Sequence, residues 1–203
     1  MLPPFHLTAD NRNLFAVWRS CPAEAGVPCA TVGHFLERSR GAGNLVVVEA
    51  RIEGTPRIVH AGPLVATALH RDPTGEPVTA AFSLESHPDV LSVRACMYSR
   101  PVVVVSHSTF RSAPDSAPMQ AELLLLPFVI RTTGDLGYLH GNAMATRVET
   151  DDLDVGDTLI DRHILMRRFY DPATLEERSS PLTIPQEETP AGQRALKPAR
   201  TLP

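Results

Sequence analysis

Four histidines, His60, His70, His107 and His140, are the residues of this chain most able to do chemistry, because each falls on or beside a strand or a covering helix. Neutral imidazole binds haem iron through one ring nitrogen, and His60 and His70 are close enough in sequence to reach one cavity. Either could serve a haem or other metal. A lone histidine is nonetheless more often a surface or hydrogen-bonded core residue, and no second motif supports a metal. His107 and His140 fall on central strands, where an imidazole titrating near neutral pH would alter packing or a dimer contact. Partial exposure on the solvent face of an antiparallel sheet accounts for them equally well.

Nucleophiles have less support. Cys21, Cys29 and Cys96 are an odd set without Cys-x-x-Cys spacing, which suggests reduced thiols and neither a disulfide framework nor a zinc ribbon. No serine has the Gly-x-Ser-x-Gly context of a nucleophile elbow, and Cys29 lacks the surroundings of a thiol protease. Gly41-Ala42-Gly43-Asn44 precedes a strand, so its amides would not converge at a helix N-terminus as a phosphate loop requires. The acidic run Glu149 to Asp157 lacks the ligand spacing and closing glutamate of a calcium loop. No catalytic constellation is visible, and the expectation is a protein that is not an enzyme.

Composition narrows the partners. A formal charge of −4, from 19 Lys and Arg against 23 Asp and Glu, gives no basic excess for a phosphate backbone, so nucleic acid is not expected. No apolar run approaches the length of a membrane span, and Met-Leu-Pro-Pro-Phe-His does not open a secretory signal. The chain reads as soluble and cytoplasmic.

The elements that would position these residues follow from periodicity. Asp10 can cap a helix over Asn11 to Ser20, with Leu14, Phe15, Val17 and Trp18 as its apolar stripe. Gly26-Val27-Pro28 reads as a connector to a second helix over Ala30 to Arg40, stopped by Gly41-Ala42-Gly43. Alternation predicts strands over Asn44 to Ile52 and Arg57 to His60, joined by a hairpin at Gly54-Thr55-Pro56. Short helices follow around residues 63 to 70, then a helix over Glu85 to Ser99 ending at Arg100-Pro101. Pro101 to Phe110, Gln120 to Ile130 and Tyr138 to Thr146 read as three antiparallel strands. Five strands with a helical crossing give an α+β fold, an antiparallel sheet with helices over one face. Residues 1–43 form an N-terminal helical extension, 44–146 the core, 147–170 an acidic linker and an apolar, basic arm, and 171–203 a Pro- and Glu-rich tail expected to be disordered. The arm from Leu159 to Tyr170 suits an amphipathic helix or an extended segment docking on a sheet, its own or a partner's.

Trp18-Arg19 followed by Gly26-Val27-Pro28, His60-Ala61-Gly62, Leu69-His70-Arg71-Asp72-Pro73-Thr74-Gly75, Arg100-Pro101 and Leu126-Pro127 fall in an order that resembles the stand-alone PAS-like domains of alphaproteobacteria. The chain departs from that pattern in carrying His70 where a glycine commonly precedes the Arg-Asp turn, and in its long segment after Thr146. The resemblance implies a PAS-like five-stranded sheet enclosing a cavity, and a sensory or adaptor role without a fixed catalytic set. It implies binding of a small, largely apolar ligand, contact with a protein signalling partner, or both, with a homodimer expected. Light-oxygen-voltage flavin sensors show Asn-Cys-Arg-Phe, whereas Cys96 lies in Ala-Cys-Met-Tyr, so flavin photochemistry is not expected. The cofactor is unknown from the sequence. Under this reading Val46, Val48, Ala50, Leu64, Val65, Ala68, Leu69, Val90, Val93 and Met97 line the cavity. The alternatives are a haem or metal-dependent sensor using His60 or His70, and a small α+β enzyme with a distributed site.

Overall fold

The computed structural model describes residues 5–39, 42–49, 56–81, 90, 91, 93, 97, 100–111, 119–144 and 161–179. Along them run α1 (Ala9–Ser20), β1 (Ala23–Glu24), β2 (Val27–Ala30), α2 (Val32–Arg38), β3 (Leu45–Glu49), β4 (Arg57–Ala61), α3 (Pro63–Ala68), β5 (Val103–Arg111), β6 (Met119–Ile130), β7 (Leu136–Met144), β8 (Asp161–Tyr170) and β9 (Glu177–Arg178). The five expected strands appear as β3 to β7. Four more surround them, and the sheet runs β4-β3-β7-β6-β5-β8-β9 with every neighbour antiparallel.

β6 is long enough to serve two neighbours on one edge. Its first half pairs with β5 as far as Leu125, and its end pairs in parallel with β2, Cys29 to Val129 and Ala30 to Ile130. Pro127 sits in the interval between β5 and β2, where its missing N–H breaks no ladder. Its carbonyl accepts the indole N–H of Trp18 at 2.6 Å.

Several expectations are corrected. Gly26-Val27-Pro28 is part of a hairpin: Ala25 and Gly26 both have positive φ, the two-residue turn that matches strand twist, and they join β1 to β2. Ala30 is therefore a strand residue. The second helix begins only at Val32, where the Thr31 hydroxyl accepts from the N–H of His34. The first helix starts at Ala9 with Thr8 at its N-cap, so Asp10 lies inside its first turn. For the arm, the expected alternative of an extended segment on its own sheet is the one found: it is β8, paired along β5. Ordered structure continues past Asp171, whose carboxylate accepts the N–H groups of Ala173 and Thr174 before β9 pairs with β8. Of the helix expected over 85–99, Val90, Leu91, Val93 and Met97 are described, and all four are helical. Ala50, Ile52, the loop of 112–118, the acidic run and residues 180–203 lie outside the described residues.

The sheet is covered on both faces. Leu45, Val47, Val105, Leu124, Leu126, Phe128 and Leu139 point to an outer face and pack with Leu14, Phe15 and Trp18 of α1 and Phe35 of α2. Val46, Val48, Val104, Leu123, Leu125 and Tyr138 point to an inner face and pack with Val90, Val93, Met97 and Val102. A strand apolar at successive positions requires cover on both sides. The runs Leu45-Val46-Val47-Val48, Val102-Val103-Val104-Val105 and Leu123-Leu124-Leu125-Leu126 meet that condition. The N-terminal helices are thus the outer layer of the fold.

Candidate functional site: the inner sheet face

Register fixes which side chains share the inner face. Ala61, Val46, His140, Leu125, Val104 and Phe169 stand opposite one another in a row across β4, β3, β7, β6, β5 and β8. Directly opposed residues on antiparallel strands point to the same side. A neighbouring row holds Ile58, Val48 and Tyr138. On the other side of the first row come Leu123, Ser106 and Arg167. The face is apolar towards Tyr138 and polar towards Ser106 and Arg167.

Of the ten residues expected to line a cavity, Val46, Val48, Val65 and Val90 gather in one cluster with Ile58, Ala61 and Val78. Val93 and Met97 belong to a second, with Val102, Val104, Leu123, Leu125, Tyr138 and Phe169. Leu69 is buried. Leu64 departs from the expectation: it is 55% exposed at the start of α3, with its Cδ1 close to Gly43. Ala68 lies on α3, and Ala50 is not among the described residues. The phenol of Tyr138 donates to the Met97 carbonyl at 2.5 Å, a buried bond that ties sheet to cover. Ile58, Tyr138, Val104 and Leu125 were missed, although strand alternation from Val46 and Val48 leads to them.

The histidines separate. A bulge between Val47 and Val48 places His60 opposite Val47, so it shares the outer face while Ile58 shares the inner one. His60 also helps hold the exposed Asp72 carboxyl below its ordinary value, a shift due first to the hydroxyl and N–H of Thr74. His70 follows α3 with φ of 52°, and its buried Nε2 has no partner among the described residues. His60 and His70 do not meet on the inner face, and among the described residues no three His, Cys, Asp or Glu side chains gather as a metal site. His140 lies centrally on the inner face between Val46 and Leu125.

His107 takes the opposite face, across from Glu122. Its Nε2 is 3.5 Å from Glu122 Oε2. Glu122, only 8% exposed, lies beneath the start of α1. Its carboxylate accepts from the Thr8 N–H, the Thr8 hydroxyl and the Asn11 amide at 3.0, 2.9 and 2.8 Å. An anion there meets the unpaired N–H groups and the positive end of the helix dipole. A partly open crevice between α1, β3 and β7, lined by Asp10, Asn11, Leu14 and Gly141 among others, has a volume of about 10 Å³. That is the room of about one water molecule.

No curated protein matches the chain. A family model for the PAS domain matches residues 8–139, from the N-cap of α1 into β7, and so takes in α1, α2 and the inner face together. An antiparallel sheet with helical cover, built over those residues, agrees with that match, and the chain belongs to the PAS domain family.

Proposed function

We propose that this PAS domain is a non-enzymatic sensory or adaptor module that binds a small, largely apolar ligand between the inner sheet face and its helical cover and signals to a protein partner. The observation that carries this reading is the construction of β6, whose alternate residues serve both layers. Leu123 and Leu125 belong to the inner cluster, while Glu122 and Leu124 meet α1. A ligand that moved the inner cover against the sheet would bear on the strand that holds α1. Change on one face then reaches the other through a single strand, without any catalytic step.

A cytoplasmic homodimer belongs to the same proposal. The apolar stripe of α1 packs within the chain, whereas β8 pairs with β5 along one edge and with β9 only at Phe169 and Tyr170, with Leu165 exposed, so β8 is the surface proposed for the contact. Among the described residues no helix is long and apolar enough to cross a membrane.

The test is native mass spectrometry, with an ultraviolet-visible spectrum, on protein purified without denaturant. A retained small molecule, lost on changing Leu69 to Arg, supports the ligand reading. Protein that is empty and binds nothing from a metabolite library refutes it.

A further inference from the structure

β8 spans Asp161–Tyr170, and on the side away from β5 a described strand meets it only at Phe169 and Tyr170, where β9 returns. A sheet edge left in water presents a row of peptide groups to any chain able to pair with it. Beside this edge stands Leu165, at 63% the most exposed large apolar side chain among the described residues. β9 pairs through two residues, and residues 179–203 follow it in the chain.

Register dictates what the chain after β9 can do. The Asp171 N–H donates to the Glu176 carbonyl at 2.9 Å, so Glu176 turns its peptide groups towards β8. In an antiparallel ladder that orientation recurs at every second residue, which selects Arg178, Ser180, Leu182 and Ile184, all with an N–H to give. The alternate set turns its N–H groups to solvent, and Pro181 and Pro185 both belong to it. Proline is tolerated on an edge strand in that setting, and there it bars a further strand from the outer side. Counting on from Phe169 opposite Arg178 brings Leu182 to the level of Leu165.

From this agreement we infer that residues 179–186, Ser-Ser-Pro-Leu-Thr-Ile-Pro-Gln, continue β9 as a strap along the open edge of β8, with Leu182 beside Leu165 and the two prolines facing water. The chain's own segment is the occupant because it follows β9 without a break, so its pairing lengthens an existing ladder and closes no new loop. The dimer contact proposed above uses the same edge, and on that reading the strap regulates it: strap and second copy exclude one another, and association requires release of residues 179–186.

The experiment is amide exchange of the full chain followed by NMR at several protein concentrations, with sedimentation velocity on the same samples. The amides of Ser180, Leu182 and Ile184 should exchange at least about tenfold more slowly than that of Thr183, whatever the concentration. Leu182→Pro removes an N–H that faces β8, and should abolish protection at Ser180 and Ile184 and raise the dimer fraction. Thr183→Pro removes one that faces water and should leave both unchanged, while exchange in α1 checks that each variant is folded. Uniformly fast exchange from Ser179 onward, or equal effects of the two proline variants, would overturn the inference. Protection that appears only as concentration rises would put a second copy on the edge and overturn it too. Protection lost in Leu182→Pro without any change in association would uphold the strap and overturn the β8 dimer contact.

Discussion

Glu122 and Thr8, 114 residues apart, form the joint between the sheet and the helix that covers it, one carboxylate accepting both the N–H and the hydroxyl of the helix N-cap. The N-cap side chain makes no bond to its own helix, so the cap comes from β6. Glu122→Gln keeps the shape and removes the charge. It should cost about 1 to 3 kcal/mol, with faster amide exchange concentrated in α1. Uniform loss of protection, or none, would show that Glu122 does not hold the helix.

Gly141 allows α1 to approach β7. A Cβ there would clash with the Asn11 side-chain oxygen and come within 2.8 Å of Leu14 Cδ2. Gly141→Ala should destabilise the fold by about 1 to 3 kcal/mol through overpacking. Combined with Glu122→Gln, the loss should be less than the sum, since both act by loosening one helix. Strict additivity in denaturant titrations would contradict a shared mechanism.

Trp18→Phe should remove the bond to the Pro127 carbonyl while keeping much of the packing against Phe15. The abandoned carbonyl is buried between β5 and β2, and about 1 to 3 kcal/mol of stability should be lost. A midpoint unchanged in urea would mean that the carbonyl finds another donor.

Tyr138→Phe should act on the other layer. Without the phenol, Met97 loses its tie to β7, and exchange should rise at the helical residues around it and not in α1. Equal rises in both layers would refute the separation of the two faces.

Burial pushes the Cys21 thiol above its ordinary value of 9.0, and burial likewise raises Tyr170 above 10.0. Both groups bind their protons more tightly when folded, so their contribution is complete below the unfolded value and is lost as pH rises through the folded one. Stability should thus fall above about pH 9, and Cys21→Ala should flatten the first part of the decline. A maleimide should also modify the half-buried Cys29 well before Cys21. Equal labelling rates would contradict the packing around Cys21.

The strands β3 to β7 were legible because their apolar runs are rich in valine and leucine and bounded by turn residues, whereas the PAS resemblance rested on short motifs such as Trp18-Arg19 and Leu69 to Gly75 falling in order. The second layer was harder to read. Pro28 within β2, just after the Ala25-Gly26 turn, disguised that strand as a connector, and β2 pairs with residues a hundred positions away. β8 breaks its own alternation at Leu165, which the bulge opposite His107 and Ser108 leaves 63% exposed, and so the segment resembled an amphipathic arm. One extra residue in β4 likewise turned His60 to the outer face, which no spacing argument on the isolated strand reveals. Glu122 was visible as a lone acid in an apolar run, but Thr8 could not be identified as its partner without the fold.

Trp18 is the sole tryptophan of the chain, fully buried on the outer side of the sheet and remote in sequence from every residue proposed to meet a ligand. The molecule therefore contains its own optical gauge. Emission from that one indole reports whether the N-terminal helix is seated, so a spectral shift on adding a compound to the opposite face would register the arrival of a message and not merely the occupation of a pocket.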